Sequence, residues 1–309
     1  MITRRALLPI LGLVPLHRRF REKTPPRPPQ TRLLFGGDVM LSRFVGRIAR
    51  ERHDPASPLH DLAPVLRQAD LAFVNLEAPF SDRGHVVESG MVFKAEPEMI
   101  QTLEAAGIGI VSTANNHARD CAGYGLEFTL DWLAQHGIAT VGSAKTPELA
   151  HQGTVLERHG IRFGFLAYTY DQSNGNHSDV DPRIPLMDVD TMSGDVHRLL
   201  ARADAVIVSM HAGTEYSPLP NAQQKEFAHA AIDAGARIVV GHHPHVTQPW
   251  EMYGRGVIFY SLGNLVFDQF QRTETQHGLL AEAIFSGPVL VHAGVIPVDI
   301  IRTVPRLAA

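Results

Sequence analysis

Cysteine is almost absent from this sequence. The single residue, Cys121, has no partner for an internal disulfide. The fold must hold without covalent staples, which suits the cytoplasm and equally an exported domain that needs none. Zinc gripped by thiolates is excluded too, so any metal must sit on His, Asn and carboxylates. Long apolar runs are also missing. The stretch over residues 6–16 is too short to cross a bilayer as a helix, which takes about 20 residues. Positive charge is not in excess: the formal net charge of -4 argues against a nucleic-acid partner bound by phosphate neutralisation. Internal repeats are lacking, and nothing divides the chain cleanly after its first 30 residues.

What is present suits a globular protein. The 309 residues are 44% hydrophobic and 19% charged, enough to bury a sizeable core. Residues 1–30 differ from the rest. Arg4-Arg5 precede the short apolar stretch, and a Pro- and Arg-rich segment follows. Thr3-Arg4-Arg5-Ala6-Leu7-Leu8 is similar to a twin-arginine export signal, which places the mature chain in the periplasm or cell envelope. The alternative is a basic, Pro-rich tail on a cytoplasmic protein, because no small-x-small cleavage site follows the apolar stretch.

From residue 31 to 309 the sequence reads as one domain. Apolar runs alternate with amphipathic segments as far as residue 240, the rhythm of an α/β fold. Strands are predicted at 31–37, 71–75, 109–114, 138–142, 162–169, 204–210 and 237–240, and helices at 58–68, 96–106, 123–136, 192–202 and 221–234. Beyond 245 the pattern turns to successive strands at 246–250, 257–260, 279–285 and 289–300. Residues 171–185 form a long polar loop.

Metal-type ligands gather where these strands end. Asp38 follows Gly36-Gly37, whose small size lets the backbone turn tightly; alone, such an Asp is more often a cap or turn residue. Asn75 and Glu77 fall on one side of an extended chain, where a carboxylate can bridge two cations; on these residues alone, a surface Glu beside a turn is the stronger reading. Asn115-Asn116-His117 closes a strand. Asn116 offers a hard oxygen, and His117 suits a proton donor oriented by Asp120, three residues on. His211 ends an apolar strand. His242-His243-Pro244-His245 is the densest group, and the proline fixes the backbone so that two imidazoles can face two neighbouring metals. Ser261-Leu262-Gly263-Asn264 either caps a loop over the site or is an ordinary turn, and no catalytic role is assigned to it.

In this order the motifs Gly37-Asp38-Val39-Met40-Leu41, Asn75-Leu76-Glu77, Ala114-Asn115-Asn116-His117, His211-Ala212-Gly213-Thr214-Glu215-Tyr216, Gly241-His242-His243-Pro244-His245-Val246 and Tyr260-Ser261-Leu262-Gly263-Asn264 are specific. From about Leu33 to Ile300 the chain resembles the CapA family of poly-γ-glutamate capsule biosynthesis proteins, a branch of the calcineurin-like metallophosphoesterases. The resemblance implies a four-layer α/β/β/α sandwich with two divalent metal ions, Mn, Fe or Zn, at the strand ends. It implies that Asp38 and His245 hold one metal, that Asn116, His211 and His243 hold the other, that Glu77 bridges them, and that His117 donates a proton. One departure stands out: the wider superfamily has Asp-x-His at the first strand end, and here the third position is Met40, a poor ligand for a hard cation. The activity implied is hydrolysis of a phosphoester or another bond in an anionic polymer, with two cations roughly 3.5–4 Å apart clamping the reacting oxygens. The alternatives are a non-catalytic polymer-binding subunit of a membrane capsule synthesis or export complex, and an amide hydrolase using the same metals.

Overall fold

Alternation of side chains along each strand explains the layering. In the computed structural model, which describes residues 30–84 and 90–308, Leu33 and Phe35 face one way and Leu34 the other. Residues 1–29, with the twin-arginine-like segment, lie outside the described residues.

The first half runs β1 (Gln30–Val39), α1 (Arg43–Glu51), α2 (Ala63–Leu66), β2 (Leu71–Leu76), α3 (Ile100–Ala106), β3 (Ile108–Ser112), α4 (Ala122–Gln135), β4 (Ala139–Val141) and α5 (Pro147–Gln152). There follow β5 (Thr154–Arg158), β6 (Ile161–Thr169), α6 (Val189–Leu200), β7 (Ala205–His211), α7 (Ala222–Asp233) and β8 (Ile238–His242). The last third is β-rich: β9 (Trp250–Tyr253), β10 (Gly256–Phe259), β11 (Asn264–Val266), β12 (His277–Ser286), β13 (Val289–Ile301) and β14 (Val304–Leu307). One sheet has the order β14-β13-β12-β1-β2-β3-β4, with β11 pairing the far end of β1; the other is β5-β6-β7-β8-β10-β9. The strands β1 to β4 are parallel, as are β6, β7, β8 and β10.

The two sheets pack face to face. Phe35, Phe73 and Ile110 from the first meet Phe163, Phe165, Ile207 and Phe259 from the second, and the rings of Phe73 and Phe165 stack 6.1 Å apart. Each fully buried side chain of this kind stabilises the fold by about 1.5–3 kcal/mol. On the outer face of the first sheet Val74 and Val111 pack with Val45, Leu66 and Leu103 of α1 to α3. On the outer face of the second, Val206, Val208 and Val239 pack with Val196 and Leu199 of α6 and Phe227 and Ala231 of α7. The result is four layers, α/β/β/α.

Helix ends follow local chemistry. Asn221 and Gln224 close a capping box on α7, Asp188 caps α6 by accepting from the Thr191 amide at 2.8 Å, and Gly107 ends α3 in the left-handed region. The cap of α6 is thus Asp188, and the helix starts at Val189, three residues before the predicted start. The predicted helix at 58–68 is a 3-10 turn and the short α2, and the predicted strand at 246–250 starts only at Trp250. The sequence pattern did not reveal α1, α5, β5, β11 or β14.

Glycine matters most where strands touch. A Cβ on Gly37 would lie 1.9 Å from the Gly263 carbonyl oxygen, and one on Gly241 would lie 1.9 Å from that of Tyr260. Gly137, by contrast, has open space around it, although its φ of +70° is left-handed. Gly37→Ala is therefore expected to cost about 3 kcal/mol or more, the range of steric core defects, while Gly137→Ala costs about 1 kcal/mol. Chemical denaturation of the two variants measures this, and equal small losses would contradict the packing described.

A candidate metal centre at the strand ends

The inward faces of the parallel strands turn polar at their carboxyl ends. On β2 the inner positions run Leu71, Phe73, then Asn75 and Glu77; on β7 they run Ala205, Ile207, then Ser209 and His211; on β8 they run Ile238, Val240, then His242. Asp38 is out of phase with Leu33 and Phe35. The register of β1 against β2 shifts between Phe35 and Asp38, and this irregularity at Gly36-Gly37 brings Asp38 alongside Asn75. Both sheets thus deliver their ligand-type residues to one place.

Asp38, Glu77 and His245 form the tightest group, with one ligand atom from each lying within 4.8 Å of the others. His245 Nδ1 is 3.6 Å from Asp38 Oδ2, and its Nε2 is 3.8 Å from Glu77 Oε1. His211 Nε2 lies 2.9 Å from Asn116 Oδ1, and the rings of His211 and His243 lie 4.9 Å apart. His243 and His245, on either side of Pro244, have rings 6.0 Å apart. The structure therefore brings together all six residues that the resemblance assigns to metal binding. His117 and Asp120 also meet, Nδ1 to Oδ2 at 2.7 Å. Asp120 accepts the Phe93 amide at 2.6 Å as well, and the Phe93 ring stacks on His117 at 3.8 Å. The segment from Asn115 to Ala122 does this with consecutive turns rather than with a helix, which starts at Ala122.

Three residues to which the sequence reading gave no role belong to the site. Asn75 sits at its centre, its Nδ2 lying 2.8 Å from Asp38 Oδ1, 3.4 Å from Glu77 Oε2 and 3.3 Å from His211 Nδ1, while its Oδ1 accepts from Asn115 at 3.2 Å. The signal was its period-2 relation to Glu77. Asn264 corrects the reading of its segment as an ordinary turn: it starts β11, pairs with Asp38 in register, and its Oδ1 meets His245 Nδ1 at 3.0 Å. His242 is fully buried with neither ring nitrogen hydrogen-bonded, and its Nδ1 lies 3.5 Å from Asp38 Oδ1. Met40 points elsewhere. Its sulfur accepts from the amide and hydroxyl of Ser42 at 3.3 and 3.2 Å, within the outer core of the first sheet. The polar loop 171–185 does line the site: Tyr170 just before it packs on His243 at 4.7 Å, and Asn174 accepts from Asn116 at 3.2 Å.

Burial governs the charge state of the cluster. It pushes Asp38 up to about 7, against the opposing hydrogen bonds from Asn75 and the His243 amide. It pushes Glu77 well above the usual carboxylate range, with the Asp38 charge adding to the effect. It holds His242 and His243 down to about 3, His245 down to about 4, and His211 well below its ordinary value. Two acids that resist ionisation beside four neutral imidazoles suit a cation, which reverses the preference of both acids. Glu77 Oε1 and His243 Nδ1 have no hydrogen-bond partner, as atoms reserved for a cation would not. Backbone strain points the same way: His243 and His245 have φ of +97° and +58°, a conformation that costs about 1–3 kcal/mol and persists where surrounding structure enforces it.

These shifts fix a pH dependence for the metal-free protein. The four imidazoles have lowered values, so the unfolded chain takes up protons that the folded one refuses, and stability falls as pH drops below 6.5 toward 4. Asp38 and Glu77 have raised values, so their contribution runs the other way and is lost as pH rises from about 4 toward 7. Four groups outweigh two, and the chelated protein is expected to melt at progressively lower temperature from pH 6.5 down to about 4. Saturating Mn²⁺ should raise the midpoint at neutral pH and steepen this dependence, because ligands bind a metal in their deprotonated form. Thermal melts across this range check it; a midpoint indifferent to both pH and Mn²⁺ would contradict it.

Known proteins share sequence and fold with this chain. The family described as "Bacterial capsule synthesis protein PGA_cap" matches residues 32–269. The chain is 30% identical over 275 residues to "PGA biosynthesis protein CapA" of Bacillus subtilis (strain 168), covering 88% of this chain and 72% of that protein. It is 30% identical over 242 residues to "Capsule biosynthesis protein CapA" of Bacillus anthracis, covering 75% of this chain but only 59% of the relative. Among solved structures, a hypothetical protein from Thermus thermophilus superposes with a TM-score of 0.54 at 18% identity, over 87% of this chain and 99% of that one. The NAD nucleotidase (NadN) of Haemophilus influenzae superposes with a TM-score of 0.50 at 10% identity, over 87% of this chain and 56% of that one. The fold is the calcineurin-like α/β/β/α sandwich. The chain belongs to the bacterial capsule synthesis protein PGA_cap family.

Proposed function

We propose that this protein serves poly-γ-glutamate capsule biosynthesis, the role for which its CapA relatives are named, and that its buried cluster is a metal-dependent hydrolase site of phosphoesterase type. The observation that carries the reading is the convergence of Asp38, Glu77 and His245 within 4.8 Å, beside Asn116, His211 and His243. Asp38 and His245 would hold one divalent cation, Asn116, His211 and His243 a second, and Glu77 would serve both. Such cations, when bound, polarise the oxygens of the scissile group and make water a nucleophile at neutral pH.

The chain's own residues supply the rest. Asn75 donates to both carboxylates and fixes their rotamers. Asn264 orients the His245 ring by meeting its Nδ1, leaving Nε2 on the side of Glu77. Asp120 holds His117 through Nδ1, so Nε2 is the atom that delivers a proton to a leaving oxygen. Phe93 covers one face of that ring and excludes water from it.

A second reading is favoured by Met40. Its sulfur is engaged with Ser42, so the position where the wider superfamily carries a ligating His adds nothing to the cluster. A site one ligand short suits a polymer-binding accessory subunit whose metal holds structure. An assay separates the two. Elemental analysis should find bound Mn, Fe or Zn. With added Mn²⁺ the wild type should hydrolyse a chromogenic phosphodiester, Glu77→Ala should lose both metal and activity, and His117→Ala should keep metal while losing about 10²–10⁴-fold in rate. Bound metal with equal, near-zero rates in all three proteins favours the accessory subunit, a γ-glutamyl amide cleaved in place of the phosphodiester identifies an amide hydrolase, and no metal at all overturns the site.

A further inference from the structure

Among the described residues, His242 alone is a buried side chain with two polar atoms and no hydrogen bond to either. It occupies the last inward position of β8, beyond Ile238 and Val240. Its ring lies against that of Phe73, with centroids 6.1 Å apart, where the apolar core between the sheets ends. An apolar side chain would fill such a place at no cost. Burying a polar group with nothing to bond costs about 1–3 kcal/mol, so the imidazole calls for a partner. Among the described residues Asp38 is the carboxylate within ion-pair reach: His242 Nδ1 lies 3.5 Å from Asp38 Oδ1.

The surroundings of Asp38 show what this ring is for. Oδ1 accepts from Asn75 Nδ2 at 2.8 Å, and a carboxylate oxygen has a second lone pair for another donor. Oδ2 accepts the His243 amide at 3.2 Å and lies 3.6 Å from His245 Nδ1. Asn75 and His242 therefore both stand at Oδ1, and Oδ2 is the oxygen on the His245 side. His242 is not a further ligand. The ligand atoms that close to within 4.8 Å of one another come from Asp38, Glu77 and His245, and no His242 nitrogen joins them. A charge-assisted hydrogen bond spans about 2.7–2.9 Å, so a small shift of the ring turns the present contact into one.

We infer that His242 is a positioning residue for Asp38: its Nδ1–H donates to Oδ1 of the ionised carboxylate and, together with Asn75, leaves Oδ2 aimed at the first cation. The inference rests on the reading of the cluster as a metal centre. A neutral imidazole carries one N–H and one lone pair, and the N–H at Nδ1 is the one that faces a group able to use it. Met40 adds weight to the position. Its sulfur is engaged with Ser42, so the first cation depends on Asp38, Glu77 and His245. A carboxylate free to rotate would serve so small a ligand set poorly. Outer partners that orient metal ligands change metal affinity by about 10–100-fold.

Substitutions at position 242 of the full chain test this by metal affinity rather than by turnover. The backbone there is held by the Ala212 amide, which donates to the His242 carbonyl at 3.0 Å, so the changes act through the side chain. Mn²⁺ titration followed by electron paramagnetic resonance should show His242→Leu binding about 10–100-fold more weakly than the wild type. The same variant, chelated, should melt no lower than the wild type, because it removes two unpartnered polar atoms. His242→Asn, whose amide offers an N–H close to the place of Nδ1, should recover most of the lost affinity. In the wild type loaded with Zn²⁺, long-range nitrogen–proton NMR correlation should show a proton on Nδ1 of His242 and none on Nε2, a readout that needs no variant to fold. Wild-type affinity in His242→Leu overturns the inference and leaves the metal centre standing, as does a His242 ring protonated on Nε2 alone or bound to Zn²⁺. Weak binding that asparagine does not restore assigns the residue to packing and overturns it too. A wild type that takes up neither Mn²⁺ nor Zn²⁺ overturns the metal centre, and the positioning role with it.

Discussion

Two carboxylates buried side by side are the constraint on which the rest of the structure depends. Asp38 and Glu77 are wholly shielded from water, and the hydrogen bonds offered to them come from Asn75 and the amide of His243. Leaving a charge unpaired in a protein interior costs several kcal/mol even after relaxation. The cluster escapes that cost either by keeping protons on its acids or by holding a cation, and the surrounding four imidazoles, kept neutral by the same burial, are built for the second.

Much of the fold reads as a means of holding this arrangement. The irregularity at Gly36-Gly37 resets the phase of β1 so that Asp38 reaches Asn75, and the close approach of Gly37 to Gly263 brings in β11 with Asn264. Pro244 and the left-handed backbone of His243 and His245 splay two rings from one short turn. The two mixed sheets face each other through an apolar core that turns polar at the carboxyl ends of their parallel strands, so that edge is where the chemistry can occur. The loop that seats Phe267 on His245 goes on to present Phe270 beside α1, linking the centre to the surface.

The sandwich and most of the site were legible because each strand carries its own signal. β-branched runs such as those of β7 and β8 announce buried strands, and His211 and His243 stand at their ends. The elements that were not legible owe their existence to partners. Residues 154–158 pair with β6, and 304–307 with β13, through contacts that leave a weak local pattern. Asn75 and Asn264 were given no role for the same reason. An asparagine beside a strand end looks like a turn until the carboxylate or imidazole it serves is brought to it from 37 or 19 residues away. His242 lay within a motif that drew attention to its neighbours, and only the alternation along β8 shows that it turns inward beneath Asp38.

Anomalous diffraction from crystals grown with Mn²⁺ tests the central claim most directly. The account predicts one peak among Asp38, Glu77 and His245 and a second among Asn116, His211, His243 and Glu77, separated by roughly 3.5–4 Å. A map with no peak at these strand ends, in crystals where the six side chains are ordered, would show that the buried acids are kept neutral by protons and that the centre holds no cation.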